Sequence, residues 1–565
     1  MHEILKRFCP RTEFENYAEM KRKFQIIVPE DFNFGFDVVD AWAQIDPQKP
    51  ALLWTDDSGE KRAFTFGDVR DESNRAVNFL REKGIRKGDV VMLILKQRPE
   101  VWFLLTALHK LGAVALPASY QLTPKDLRYR LKLAEAKMLI TVSDDDVSGY
   151  ALQALLDSPG VKNYVTVGEK AIPGAIDYRR VIGDYSPEYT RPAGAENTTV
   201  SDPLLIYFSS GTTGLPKMVR HDHSSPLGHI TNALFWQRVG DGQVHLTQTD
   251  SGWAKFAWGK IYGQWICGAC IGVYDTEKFV PHAMLEAIGR LRPYTLCAPA
   301  TIYRFLIKED LSGYDFSFIS HASLAGEPLN PEVFRQIESK TGLRIYEGFG
   351  QSEGSVLLAN FPWDCIRPGS MGKPSPIYDI FLMREDGSAC EDGEVGAICI
   401  KDALGKHPTG LFREYWKDAA ATDKAFAHGH YSTGDTAWRD ADGYYWFVGR
   451  NDDVIKCSGY RIGPFEVESA LMEHPGVLEC AVTAYPDQLR GEVVKATVVL
   501  ARGFSGSDAL KKELQDLVKR VTAPYKYPRV VEFVDALPKT SSGKIMRTSI
   551  RAADMQALKA QTLDA

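Results

Sequence analysis

Two short runs of purely apolar residues, each leading into a helix-patterned stretch, constrain the fold of this chain more than any other feature. Val90 to Leu95 is continuous and suits a strand buried on both faces, and Pro99 then stands at a plausible first helical position before Trp102, Leu105 and Leu108. Gly112 ends that helix, and Ala113 to Pro117 forms the next strand. Thr123-Pro124 opens a second helix, with Leu127 and Leu131 on one face, before Met138 to Val142 returns to strand. Alternation of this kind predicts a parallel or mixed sheet covered by helices, because strands that run the same way need a long crossover between them. The pattern resumes further on, with helices expected over 282–292 and 331–342 and a strand over 294–298.

A chain of 565 residues is too long for a single core. After about residue 365 the texture changes to short strands parted by the turn pairs Asp386-Gly387, Asp392-Gly393 and Asp442-Gly443. The polar run Asn451-Asp452-Asp453 then leads into a last unit, with helices expected over 464–474 and 508–520 and strands over 477–485 and 493–500. The expected architecture is α/β. A large N-terminal domain, 1–450, carries mixed and parallel sheets flanked by helices plus a β-rich subdomain at about 365–450. A small mobile α+β C-terminal domain follows at 451–565.

The formal net charge of -6 is small for this length and the basic residues are scattered, so no nucleic-acid partner is expected. No apolar run approaches the ~20 residues that span a bilayer. Met1 to Phe24 mixes acids with bases, unlike a secretory or mitochondrial leader, which leads to the expectation of a cytoplasmic protein. Cys267 and Cys270 lie in the apolar stretch Trp265 to Val273 without a second cysteine pair, and read as packing rather than as a zinc or redox site. Monomer and homodimer both stay open.

The chemistry begins at Tyr207 to Val219. Apolar Leu204, Leu205 and Ile206 lead into Ser209, Ser210, Gly211, Thr212, Thr213 and Gly214, and Lys217 follows. Backbone N–H groups, hydroxyls and a cation in one turn are what polyphosphate oxygens require. The spacing is not that of the common P-loop, since Met218 stands where Ser or Thr would follow the lysine. Taken alone, the loop reads first as a flexible Gly/Ser/Thr surface turn.

It does not stand alone. Gly326-Glu327-Pro328, Tyr346-Glu347-Gly348-Phe349-Gly350-Gln351-Ser352-Glu353, Tyr431-Ser432-Thr433-Gly434-Asp435, Gly449-Arg450, Ser458-Gly459-Tyr460-Arg461-Ile462-Gly463 and Pro538-Lys539-Thr540-Ser541-Ser542-Gly543-Lys544 follow in order. Together they resemble the adenylate-forming superfamily of acyl-CoA synthetases, peptide-synthetase adenylation domains and firefly luciferase. The runs Asp250-Ser251-Gly252-Trp253, Glu473-His474-Pro475 and Thr522 to Arg529 bring the chain nearest to the medium-chain acyl-CoA synthetases. The resemblance implies a two-step reaction. A carboxylate attacks the α-phosphate of ATP to give acyl-AMP and pyrophosphate, and the CoA thiol then displaces AMP.

It also implies roles. Ser209 to Gly214 with Lys217 hold the β- and γ-phosphates, Glu353 holds Mg²⁺ and Ser352 touches the α-phosphate. Asp435 accepts from the ribose hydroxyls and Arg450 donates to the same sugar. Gly326, Glu327 and Pro328, with Tyr346, Glu347, Gly348 and Phe349, line an adenine slot. Lys544 brings a cation between two anions that must react, and Arg461, the second catalytic candidate, meets CoA or the adenylate with Ser458. The lid turns about Asp452, exchanging Lys544 for the loop of Ser458 and Gly459, where CoA enters.

Trp253, Ala254, Lys255, Ala325 and Gly350 wall the acyl pocket by the same resemblance. Acetate-specific members carry tryptophan where this chain has Gly350, so an acid larger than acetate is expected. Lys255 departs from the apolar or hydroxyl residue expected there. The rival readings are an aryl (benzoate-like) or alicyclic ligase, a ligase run in reverse to make ATP, a luciferase-like oxygenase and a silent nucleotide sensor. Lys217, Glu353, Asp435, Arg450 and Lys544 together argue against the sensor.

Overall fold

Val90–Ile94 is buried at every residue, which explains its lack of alternation: helices cover both faces of its sheet. The computed structural model describes residues 3–209, 215–457, 460–487, 490–539 and 545–563, and only the backbone of Arg461 and 559–563. Among the described residues, four sheets of nine, eight, four and five strands carry the architecture.

The eight-stranded sheet runs, in spatial order, Glu414–Tyr415, Lys217–Asp222, Pro203–Ser209, Val114–Pro117, Val90–Ile94, Met138–Val142, Asn163–Val167 and Ile176–Asp177. Its helices start as the sequence dictates: Thr123 caps Pro124–Ala134 by accepting from the Asp126 backbone, and Asp126 reaches back to the cap. Pro99 is the cap of Glu100–Leu111 rather than its first residue, a shift of one position.

The nine-stranded sheet has a parallel centre, Ile345–Gly350, His321–Ala325, Thr295–Ala298, Val244–Thr247, Cys270–Asp275 and Pro50–Asp56. Antiparallel edge strands close it at both sides, Val356–Ala359 with Lys373–Pro374 and Lys61–Thr65. The helices expected near 282–292 and 331–342 are Pro281–Leu291 and Pro331–Thr341. The Asp-Gly turn pairs fall between strands of the antiparallel four-stranded sheet Ile380–Met383, Gly396–Ile400, Tyr431–Arg439 and Tyr445–Arg450.

Beyond Arg450 the chain builds a separate apolar cluster from Ile455 to Val531. Helices Pro464–Leu471 and Asp508–Val521 pack on a sheet whose long pair is Val477–Asp487 with Gly491–Leu500. Two short strands, Ile455–Cys457 and Tyr460–Ile462, and the terminal helix Arg547–Leu563 were not expected. That helix docks through Ile550, packed with Ala481, Val499 and Leu537, and through charge. Arg547 donates to both oxygens of Glu468 at 2.6 and 2.8 Å, Arg551 to Asp453 at 2.5 Å, and Asp554 accepts from Lys495.

Asp452 lies between two anchors. The Asn451 N–H donates to the Gly434 carbonyl at 2.9 Å on one side, and Asp453 pairs with Arg551 on the other.

Candidate active site

Three neighbouring parallel strands, Thr295–Ala298, His321–Ala325 and Ile345–Gly350, end side by side, and their carboxyl ends open onto a cleft of about 1750 Å³. In open α/β sheets that is where ligands bind. Ser209 and Lys217 reach the cleft from the other sheet, Asp435 and Arg450 from the four-stranded sheet, and Lys539 and Ile545 from beyond residue 451.

Gln351, Ser352 and Glu353 are each fixed by a different distant element. Gln351 donates to the Thr433 carbonyl at 2.9 Å and to Asp435 at 2.5 Å, and accepts from the Tyr431 hydroxyl at 2.8 Å. The Ser352 carbonyl lies 2.7 Å from His221 Nε2. A carbonyl only accepts, so Nε2 carries the proton and Nδ1 accepts from Ser225, 3.0 Å away. Full burial depresses the His221 pKa to about 4, which keeps this ring neutral. Glu353 Oε1 accepts from the Tyr415 hydroxyl at 2.9 Å, and its carbonyl from the Phe412 N–H at 2.6 Å.

Asp435 and Arg450 face each other across an antiparallel pair, with Arg450 Nε 3.6 Å from Asp435 Oδ1. Asp435 is buried and Arg450 half-exposed. Ser209 and Lys217 are likewise paired across two strands. The intervening Ser210, Gly211, Thr212, Thr213 and Gly214 lie outside the described residues, as do Ser458, Gly459 and Lys544. Lys539 and Ile545, which flank Lys544, bridge each other and line the cleft.

In the expected adenine slot, the Glu327 carboxylate accepts from Thr301 at 2.7 and 2.8 Å and from Arg304 at 3.0 Å. Glu347 is deeply buried, its Oε1 accepting from the Leu329 N–H at 3.2 Å, and desolvation pushes its pKa up to about 8, so it is protonated at neutral pH. Gly326, Pro328 and Phe349 line the same cleft. Gly348 gives its space to the Trp236 indole, whose Cε2 would lie 2.7 Å from an added Cβ.

Trp253 caps the helix Ala254–Lys260, which brings Lys255 against the strand end: its ammonium donates to the Ala325 carbonyl at 2.8 Å. Desolvation lowers the Lys255 pKa. Gly350 has a reason of its own to be glycine, because an added Cβ would sit 2.8 Å from the carbonyl oxygen of Ser355, the residue just before the strand Val356–Ala359.

His221, Tyr415, Trp236 and Trp258 escaped the sequence reading. Trp258 lines the cleft, stacks on His229 at 4.2 Å and donates to the Gln351 carbonyl at 3.3 Å. The two tryptophans sit in aromatic and apolar stretches that read as core, and His221 and Tyr415 in mixed polar stretches with no motif to single them out. Cys267 and Cys270 are buried among packed residues, which pushes both thiol pKa values up. Among the described residues no helix is long and apolar enough to cross a membrane.

Residues 39–416 match the AMP-binding enzyme family, and 466–544 match the AMP-binding enzyme C-terminal domain. Among curated proteins the chain is similar to the mitochondrial acyl-coenzyme A synthetase ACSM3 of Mus musculus, 41% identical over 95% of this chain and 93% of the relative. ACSM5 of the same organism is 42% identical over 93% and 91%. Among solved structures it resembles the anthranilate CoA ligase AuaEII in complex with anthranoyl-AMP, with a TM-score of 0.85 and 28% identity over 94% of this chain and 99% of that one. A Burkholderia xenovorans benzoate CoA ligase gives 0.79 and 25% over 92% and 100%. The expected cytoplasmic location is overturned by the relatives, which are mitochondrial proteins. Mixed charge over a short stretch is a bulk property, whereas cellular addresses are read by receptors.

Proposed function

The chain belongs to the AMP-binding enzyme family, and from that premise we propose that it is an AMP-forming acyl-CoA synthetase acting on a carboxylic acid larger than acetate. The observation that carries this is the convergence of Lys217, Glu353, Asp435, Arg450, Lys255 and the flanks of Lys544 on one cleft.

Ser209 to Gly214 and Lys217 hold the β- and γ-phosphates, and Ser352 meets the α-phosphate on a backbone fixed by His221. Asp435 accepts from both ribose hydroxyls and Arg450 donates to that sugar. The adenine slot is formed by Gly326, Glu327, Pro328, Glu347, Gly348 and Phe349. Glu353 suits Mg²⁺, a hard ion that takes few carboxylates when phosphates complete its shell; among the described residues its Oε2 takes no hydrogen bond, while Oε1 is held by Tyr415. When bound, that ion neutralises phosphate charge.

The acid lies along Trp253, Ala254, Lys255, Ala325 and Gly350. Lys544 stands between its carboxylate and the α-phosphate, removing repulsion as the new bond forms and pyrophosphate leaves. The lid then turns about Asp452, and Ser458, Gly459 and Arg461 admit the CoA thiol, which attacks the acyl carbonyl and expels AMP. Fatty-acid metabolism is the corresponding cellular role.

A second reading, an aryl-CoA ligase, draws support from the anthranilate and benzoate ligases among the similar structures. Pyrophosphate release is measured with ATP and Mg²⁺ across linear, branched, alicyclic and aromatic acids, with CoA present and omitted. CoA-dependent turnover is expected on aliphatic acids of four or more carbons. Turnover confined to aromatic acids selects the second reading, and none on any acid removes both.

A further inference from the structure

Lys217 and Glu353 carry opposite charges into one cleft, and in a poorly hydrated space such groups tend to pair and cancel. A single side chain engages both. Tyr415 accepts the Lys217 ammonium on its ring face, 4.5 Å from the centroid, and donates its hydroxyl to Glu353 Oε1 at 2.9 Å. The tyrosine is itself immobilised. The edge strand Glu414–Tyr415 pairs with Lys217–Asp222, placing Tyr415 opposite Val219. Backbone bonds on either side, Arg413 to Arg220 at 2.9 Å and Trp416 to Met218 at 2.8 Å, hold the register, and the Tyr415 N–H donates to Thr422 at 3.0 Å. Phe412 packs against the ring at 4.9 Å. Glu353 Oε1 offers the hydroxyl an acceptor, so the phenol serves as the donor of this bond.

We propose that Tyr415 is the positioning residue of the phosphate site, seating Lys217 with its ring and aiming Glu353 at the metal with its hydroxyl while keeping the two charges from neutralising each other. This rests on the ligase reading above, in which Glu353 holds Mg²⁺. A hydroxyl that only orients a metal-holding carboxylate changes metal affinity, because such outer partners fix the carboxylate and tune its basicity. The ring has a separate task, which separates the two variants.

The test uses the full-length enzyme with ATP and a turned-over acid. Tyr415→Phe keeps the ring and removes the hydroxyl, and is expected to raise the Mg²⁺ concentration for half-maximal adenylation about tenfold or more. Binding of Mn²⁺ to the enzyme with a non-hydrolysable ATP analogue, read by electron paramagnetic resonance, should weaken by the same factor without turnover. The KM for ATP at saturating Mg²⁺ should stay within about twofold. Tyr415→Leu removes both contacts and should raise that KM as well. Glu353→Gln is the reference. If it weakens Mn²⁺ while Tyr415→Phe does not, the proposal is overturned and the ligase reading stands. If Glu353→Gln leaves Mn²⁺ unchanged, the role given to Glu353 fails, and the proposal with it.

Discussion

The two halves of the reaction site are held in opposite ways. On the large body, Gln351, Ser352 and Glu353 are fastened by Tyr431, His221 and Tyr415, from strands at 431–439, 217–222 and 414–415. Beyond Arg450, the chain passes from the Gly434 anchor to the Arg551 anchor at Asp452, and the contacts back to the body include Asn330 donating to the Ser469 carbonyl and Phe447 against Phe465. Fixed donors and acceptors cost no reorganisation when charge develops, whereas a group required for one step only must be able to leave. On the proposed mechanism the difference teaches how one cleft would serve two reactions: the body would stay as it is and the lid would change what faces it.

Three substitutions sharpen or break that contrast. Lys544→Ala should have the largest effect, lowering acyl-adenylate formation by roughly 10²–10³-fold, the usual cost of one preorganised charge-stabilising group. Thioester formation from supplied acyl-AMP should persist, and equal loss in both half-reactions, followed by pyrophosphate and thioester assays, breaks the division of labour. Asp452→Pro, which fixes φ at the junction, should slow thioester formation about tenfold and adenylation less. Unchanged single-turnover rates in both steps would place the pivot elsewhere. His221→Ala should have the smallest kinetic effect, about tenfold on adenylation alone. It also leaves the Ser352 carbonyl unpaired, costing about 1–3 kcal/mol of stability. His221→Gln, which can still donate, should recover most of the rate; a fall in Tm with no change in adenylation reduces the histidine to a packing role.

Much of the fold was legible because its central strands are buried on both faces, so Val90–Ile94 and Met138–Val142 could not be mistaken for alternating edge strands. Capping residues such as Thr123 marked where helices begin. The lining of the cleft was legible where glycines, hydroxyls and charges cluster in the chain, as at 346–353. What holds it was not. His221 meets Ser352 across 131 residues and Tyr415 meets Glu353 across 62, through strand pairings that no local pattern encodes. Gly350 shows the converse limit. Family resemblance gives a pocket-size reason for the glycine, while the backbone of Ser355 supplies a steric one that acts whatever the substrate.

The charged face of the last helix has a mechanical consequence. Arg547 follows Lys544 by three residues, and one turn later Arg551 donates to Asp453, the residue after the proposed pivot. The first half of the helix is thereby tied to Glu468, Asp453 and Lys495, so a turn about the proposed pivot at Asp452 would have to carry this half of the helix with it. A charge reversal at Arg551 would then loosen the lid at the proposed pivot without altering any residue of the cleft.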